Sequence, residues 1–237
     1  RVPMRLEGEQ VHTLEPLAVP AREAGDLDPE RLLESPSIAL LVDRVRLVDP
    51  SFQVDSETAP QLVRIVTELD GLPLAIELAA SQVRTISLPR LAERLAKELG
   101  LLRSRARDLS PRQATLQGAL NWSWKLLEPW EQSAIAQCSV FVDAFSMESF
   151  EAVVDLSAYP QAGELRETLV SLIDHCLVRR SWGEGEDRYG LLAPVRRWAA
   201  GKLEELVLSG DRLSLGERDL DLEAGVVRDG EVAHSLT

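Results

Sequence analysis

The amino-acid sequence predicts a mainly α-helical fold: a bundle of four helices, then a second helical region with one small hairpin, and short β segments at both termini. Apolar residues recur at helical spacing through much of the 237-residue chain. Glycine and proline lie where the predicted helices end and begin. Near the end of the chain, apolar residues alternate with polar ones, which is the spacing of β-strands.

The composition limits the size of the protein and its class of function. A chain of 237 residues can form one large or two small domains. No apolar run is long enough to span a membrane, so we predict no membrane contact. The net charge of −13 argues against a chain whose main role is to hold nucleic acid by its phosphates.

The sequence predicts no metal site and no enzyme active site. Its three histidines lie far apart and no CxxC motif occurs. No nucleophile–base arrangement is recognisable either. Cys138 and Cys176 lie in apolar helical segments, and we expect both to be reduced thiols in the core of a cytoplasmic protein.

The chain begins with extended residues and one helix. Three prolines exclude a regular helix from the first twenty residues: Pro3, Pro16 and Pro20. Residues 21–36 are charged and are predicted to be partly irregular. A helix is predicted over residues 38–48, with four apolar residues on its buried side: Leu40, Leu41, Val45 and Val48.

Two helices are predicted to meet in a tight corner at Gly71-Leu72-Pro73. Gly71 suits the left-handed conformation at a helix C-terminus, and Pro73 suits the first turn of the next helix. Taken alone, the corner is an ordinary stop signal followed by a start signal. The first helix buries Leu62, Ile65, Val66 and Leu69, and the second buries Leu74, Ala75, Leu78 and Ala79.

A fourth helix completes the predicted bundle, and a linker follows it. Ser87-Leu88-Pro89 is a start signal, and one face then carries Leu91, Leu95, Leu99 and Leu102. Residues 103–111 are polar and lack an apolar pattern, which is typical of a linker between domains.

The second region is predicted to contain helices, then a hairpin and a last helix. Trp122 and Trp124 are predicted to be core residues. Pro129 and Ser146 begin helices, and a further helical stripe consists of Leu165, Leu169, Leu172, Ile173 and Cys176. The spacing then changes to that of strands at residues 177–180 and 188–192, before a helix that Pro194 begins. This order is a winged-helix arrangement.

The residues after 208 have a different pattern. Leucines alternate with polar residues, and Asp229-Gly230 between short apolar runs is a strong hairpin signal. Two or three short strands are predicted, and a disordered acidic tail is an equally good interpretation.

Several of these segments resemble the STAND, or NB-ARC-type, signalling ATPases. Gly71-Leu72-Pro73-Leu74-Ala75 is similar to their Gly-Leu-Pro-Leu-Ala motif. Residues 121–131 and 139–146 are similar to the family's Trp-Ser-Tyr and Ser-Val-Phe segments, in the same order along the chain. The resemblance is closest to the bacterial AfsR-like and LuxR-like regulators.

This resemblance implies a nucleotide site. The bundle would be a helical arm that closes over ATP or ADP, with Gly71 and Pro73 at the adenine. An upstream nucleotide-binding domain would share the nucleotide, and Arg1 would sense its terminal phosphate. Leu191-Leu192-Ala193 stands where the family has Met-His-Asp. Because leucine cannot donate a hydrogen bond to phosphate, another group would have to supply that contact.

The phosphate-binding loop of such ATPases does not occur in these 237 residues, since no GxxxxGK[ST] is present. Without backbone amides and a lysine around the phosphates, hydrolysis has no electrostatic support. We therefore expect no enzyme activity from this chain by itself. Because it begins at Arg1 rather than at methionine, we expect it to be a piece of a longer protein, itself a slow ATPase.

Four segments are predicted on these grounds. Residues 1–24 would be the end of the nucleotide-binding domain, 25–108 the helical arm, and 109–208 the winged-helix domain. Residues 209–237 would be a β-rich tail, which is similar to the first sheet of an OmpR-type DNA-binding domain.

Two functions fit these segments. The preferred one is the lid and winged-helix region of a nucleotide-dependent switch in a cytoplasmic transcriptional regulator. Its partners would be the upstream nucleotide-binding domain and downstream sensor or effector domains, with DNA bound only through a further domain. The alternative is a stand-alone winged helix that binds DNA or protein without nucleotide. The acidic character of residues 164–175 disfavours contact with DNA phosphates.

Overall fold

The computed structural model describes residues 3, 6–10, 12, 14–20, 28–95, 99–102, 115–181, 187–209, 218–221, 226–229 and 232–235. The chain separates into two compact units, His12–Trp122 and Ser123–Thr237 together with Arg1–Val11. We call His12–Trp122 the first unit and the other the second unit. The predicted boundary at residues 108 and 109 lies outside the described residues.

The first unit is a helical bundle. Its helices are α1 (Pro29–Leu32), α2 (Pro36–Val48), α3 (Ala59–Glu68), α4 (Pro73–Gln82) and α5 (Leu88–Leu95), with a 3-10 turn at Leu99–Leu101. Helix α2 packs against α3 and α4, and α3 packs against α5. The four helices predicted from the apolar spacing are therefore present as α2 to α5.

The core of the first unit follows the helical spacing closely. The stripe on α3 is fully buried, and so are Leu41, Val45, Leu91 and Leu95 on the neighbouring helices. Three residues predicted to be buried are only half-buried: Leu40, Val48 and Leu74. Their places in the core are taken by Ile38, Val42 and Ile76. Both α2 and α4 therefore present a face rotated from the predicted one.

The second unit contains helices, a hairpin and a long helix. Helix α6 (Leu116–Trp124) crosses the boundary between the units. It is followed by α7 (Pro129–Gln137), a 3-10 turn at Cys138–Val140, α8 (Met147–Val153) and α9 (Leu165–Asp174). Strands β1 (Arg179–Ser181) and β2 (Arg188–Gly190) then pair antiparallel, and α10 (Ala193–Ser209) follows them.

Phe145 forms an isolated β-bridge with β2, on the side of β2 away from β1. Its N–H donates to the Tyr189 carbonyl at 2.7 Å, and the Tyr189 N–H donates back to the Phe145 carbonyl at 2.8 Å. The order across the sheet is therefore Phe145, β2, β1. This bridge places Phe145, which precedes α8, beside β2, the second strand after α9.

Aromatic rings fill the core beside this bridge. The rings of Phe141 and Phe145 stack at 4.2 Å between centroids, and those of Phe145 and Phe150 at 6.2 Å. Trp124 contacts Trp198 of α10 edge-on at 5.5 Å. Helix α10 also packs against α7, which in turn packs against α9.

The buried side-chain amide of Gln137 holds the chain that follows α8 in place. Gln137 donates from Nε2 to the Asp155 carbonyl at 3.0 Å and accepts at Oε1 from the Asp155 N–H at 2.9 Å. Because both backbone groups are satisfied by one buried side chain, the exit from α8 is held against the end of α7.

The prediction that Trp122 is a core residue is wrong, because its side chain is 49% exposed. Residues two apart on a helix point to nearly opposite sides, so Trp122 and Trp124 cannot share one buried face. Of the two, Trp124 makes the contact with Trp198.

The prediction for Cys176 is also wrong, whereas that for Cys138 is confirmed. Cys138 is buried, and burial raises the pKa of its thiol far above the usual range. Cys176 is exposed and has a positive φ of 58°. Its N–H donates to the Ile173 carbonyl at 2.8 Å, which ends α9 with a left-handed residue and turns the side chain away from the helical stripe.

The β segments differ between the two ends of the chain. None of the described residues among the first twenty belongs to a strand, so the predicted N-terminal β segment is not found there. At the other end, β3 (Arg218–Asp221), β4 (Val226–Asp229) and β5 (Val232–Ser235) form an antiparallel sheet in that order. Asp229 pairs with Val232, which confirms the predicted hairpin.

The described residues contain neither a membrane-spanning helix nor a cluster of metal ligands. No helix among them has the length and apolar character needed to cross a membrane. Within the same part of the chain, no three His, Cys, Asp or Glu side chains are placed to hold a metal ion.

Candidate functional site

The corner between α3 and α4 is the part of the first unit that the sequence singles out. Two successive residues there have left-handed backbones, Asp70 with φ 46° and Gly71 with φ 63°. The Asp70 N–H donates to the Thr67 carbonyl and the Gly71 N–H to the Val66 carbonyl, both at 3.1 Å. This pair of bonds closes α3 as a Schellman motif, with Asp70 rather than Gly71 at its first left-handed position.

At Gly71 the corner is in direct contact with a segment that is distant in the sequence. Gly71 is buried, and its carbonyl accepts a hydrogen bond from the Leu17 N–H at 3.0 Å. A Cβ added to Gly71 would lie 1.9 Å from the Leu17 carbonyl oxygen. Glycine is therefore required at this position both by its φ and by the space available.

Residues 14–20, which we call the strap, contact the corner and belong to no helix or strand. The Ala18 carbonyl accepts hydrogen bonds from the Ser37 hydroxyl at 2.8 Å and from the Ser35 hydroxyl at 3.1 Å. Those serines flank the start of α2. The strap is thus attached to the beginning of one helix and to the corner between two others.

Pro73 is exposed at the first position of α4. The first helical hydrogen bond runs from the Ile76 N–H to the Leu72 carbonyl at 3.0 Å, so the missing N–H of the proline costs nothing. The half-buried side chains of Leu72 and Leu74 flank it. The corner therefore presents a rigid apolar ring to the outside on a backbone that hydrogen bonds hold in place.

More apolar surface is found on the strap. Leu14 is 92% exposed and Val19 is 38% exposed. These side chains are apolar and carry no charge that could hold a phosphate. The corner and strap therefore suit the uncharged end of a ligand, and any anionic part would need groups from elsewhere.

The structure brings two of the three predicted site residues together. Gly71 and Pro73 lie in the same corner, whereas Arg1 lies outside the described residues. Sequence reasoning missed Leu17, Ser35 and Ser37. No local spacing signals the Leu17 contact. The Ser35-Pro36-Ser37 segment reads only as the start of a helix.

The exposed face of α9 is the second candidate, because it precedes the hairpin. It presents Arg166, Glu167 and Val170 to solvent. On the hairpin, Arg180 forms an ion pair with Asp187 at 2.7 Å, and this hydrogen bond raises the pKa of Arg180. The α9 face is thus of mixed charge, and one arginine of the hairpin is paired with a carboxylate.

Comparison with known proteins identifies relatives of the chain but no family, because no family model matches it. A Mycobacterium tuberculosis protein named "putative HTH-type transcriptional regulator" is 34% identical over 178 residues, which are 74% of this chain and 20% of that protein. A Mycobacterium bovis protein with the same descriptive name gives the same values. A second Mycobacterium tuberculosis protein, whose name states no function, is 32% identical over 189 residues, 77% of this chain and 47% of that protein.

The matched region is only part of each relative. The chain spans about a fifth of the length of the named regulators and about half of the length of the second M. tuberculosis protein.

Proposed function

We propose that this chain is a regulatory region of a transcriptional regulator, in which the corner at Gly71–Pro73 closes over the base of ATP or ADP. The regulatory part of the proposal is supported by the named relatives. The nucleotide part rests on one observation: Pro73 is an exposed, rigid, apolar ring on a corner whose backbone is fixed by hydrogen bonds.

A proline ring suits contact with a purine for physical reasons. It is flat enough to lie against the face of a base, and it has no donor that would lose hydration. Its φ is already fixed, so little conformational entropy is lost when the base binds. The Schellman bonds at Asp70 and Gly71 hold the ring in one orientation before any ligand arrives.

The phosphates of the nucleotide would be held by another part of the longer protein. Arg1 is the residue of this chain proposed to sense the terminal phosphate, because an arginine can bind phosphate with two parallel hydrogen bonds. In this account the base is bound by the first unit and the phosphates by an upstream domain. Nucleotide would then favour the closed arrangement of the two by its different affinity for each state.

We further propose that residues 109–208 contain a winged helix, as the sequence predicts. The order of α7, Phe145, α8, α9, β1 and β2, with β2 central in the sheet, supports this interpretation. The mixed charge of the exposed α9 face favours a regulatory contact with protein over contact with DNA phosphates. DNA would then be bound by a further domain, of which β3 to β5 are the proposed beginning.

Pro73→Asp in the full-length protein tests the nucleotide proposal. We expect its affinity for ATP to fall about tenfold, or about 1.4 kcal/mol, since a hydrated carboxylate would replace the apolar ring against the base. The fold should be retained, because aspartate is favourable in the first turn of a helix. Isothermal titration calorimetry with ATP and with ADP measures the change.

Pro89→Asp is the matched control for this test. Pro89 is likewise an exposed proline in the first turn of a helix of the same bundle, α5. Its substitution should leave the affinity for ATP unchanged. Equal affinities of wild type and Pro73→Asp, or equal losses in both variants, would contradict the nucleotide proposal.

The alternative is a winged helix that binds DNA without nucleotide. The HTH-type names of the relatives support this alternative. It requires the chain to bind duplex DNA by itself, with an affinity that falls steeply as salt rises. A gel-shift titration of the 237-residue chain at low and at moderate salt separates the two proposals. We expect no shift at micromolar concentrations.

A further inference from the structure

The strap differs from the bundle beneath it in how it is held. The bundle is closed by side chains that are fully buried, among them Leu62, Ile65, Leu69 and Ile76. The strap has no helical or strand hydrogen bonding, and Leu14, Glu15, Ala18 and Val19 are all exposed. Segments with little apolar burial open locally more often than the core unfolds.

Hydrogen bonds connect the strap to two separate parts of the bundle, the corner and the start of α2. Leu17 is bonded to the corner through the Gly71 carbonyl at 3.0 Å. Its neighbour Ala18 is bonded to the start of α2 through Ser37 at 2.8 Å. Because Leu17 and Ala18 are adjacent, these two contacts are expected to break together.

We propose that the strap is a releasable tether, which detaches from the corner and from the start of α2 while the bundle stays folded. In the attached state, the Leu17 carbonyl lies over Gly71, where a Cβ would reach to 1.9 Å from it. In the released state, Gly71 and the backbone beside Pro73 lose this cover while the bundle stays folded. The moving part is thus the strap and not the helices.

This inference does not depend on the proposed function. The strap would be releasable whether the corner binds a purine or another partner. If the corner does not bind nucleotide, release of the strap can still be observed. If the strap is not released, nucleotide binding at the corner can still be measured.

Ser37→Ala tests the tether. It removes the shorter of the two hydroxyl contacts to the Ala18 carbonyl, and the strap should open more often. We expect the exchange of the Leu17 amide with solvent to become about five- to tenfold faster. The amides of Ile65 and Val66 in α3 should keep their wild-type rates. Amide exchange followed by NMR on the 237-residue chain measures all three.

Ser81→Ala is the matched control. The Ser81 hydroxyl also donates to a backbone carbonyl, that of Leu78 at 2.7 Å, but within α4 and without contact to the strap. This variant should not accelerate exchange of the Leu17 amide. Ser35→Ala, which removes the longer contact of 3.1 Å, should give a smaller acceleration than Ser37→Ala.

Two results would overturn the inference. If the Leu17 amide exchanges in wild type as fast as an unprotected amide, the strap is not attached. If Ser37→Ala accelerates the Leu17, Ile65 and Val66 amides by the same factor, the strap opens only when the whole bundle does.

Discussion

Replacing Gly71 with alanine should lower the free energy of unfolding of the first unit by about 2–3 kcal/mol. An alanine at a left-handed φ costs about 1–2 kcal/mol, and Gly71 has φ 63°. The added Cβ would also overlap the Leu17 carbonyl at 1.9 Å. The strap must then move, and the Leu17–Gly71 hydrogen bond, which contributes about 0.5–1.5 kcal/mol, is lost.

This loss is best measured by hydrogen exchange at increasing denaturant, read from peptides of α3 and α4. Four of the five tryptophans of the chain lie beyond residue 122, so fluorescence would report mainly on the second unit. Gly100→Ala is the control, because a Cβ there meets no atom within 4 Å. It should change stability by less than about 1 kcal/mol. Similar effects of both variants would show that Gly71 has no special role.

Replacing Phe150 with alanine should lower the free energy of unfolding of the second unit by about 3–5 kcal/mol. Phe150 is fully buried in α8 and stacks with Phe145, whose backbone pairs with β2. The cavity left by the ring would therefore loosen both the helix and the hairpin. Urea denaturation followed by tryptophan fluorescence measures the change, since Trp124 and Trp198 lie in the same unit.

Val142→Ala is the control for Phe150→Ala. Val142 lies in the same stretch of chain but is 60% exposed, so its truncation should cost less than about 0.5 kcal/mol. A loss below about 1 kcal/mol for Phe150→Ala would contradict the packing described for this unit.

The helices could be predicted because their buried residues recur at helical spacing. The stripe on α3 and the start of α4 at Pro73 follow from neighbouring residues alone, and the structure confirms both. The left-handed conformation of Gly71 was predicted in the same way. Asp70 is also left-handed because of the hydrogen bonds that close α3. The spacing of the apolar residues does not specify those bonds.

The strap could not be predicted, because it depends on contacts between residues far apart in the chain. Leu17 reaches Gly71, and Ala18 reaches Ser37, through hydrogen bonds for which no local pattern exists. The exposure of Trp122 has a similar origin. The helical spacing does not specify which of the two tryptophans meets Trp198, and here Trp124 meets it and is half-buried.

Photolabelling with a purine nucleotide shows whether the corner lies over the base. Trypsin cuts after Arg64 and Arg84 and releases residues 65–84 as one peptide, because no Lys or Arg lies between them. After irradiation of the full-length protein with 8-azido-ATP, we predict that this peptide carries label, that excess ATP prevents it, and that Pro73→Asp reduces it. Labelling that ATP prevents elsewhere in the protein, with none on residues 65–84, would contradict the proposed place of the corner over the base.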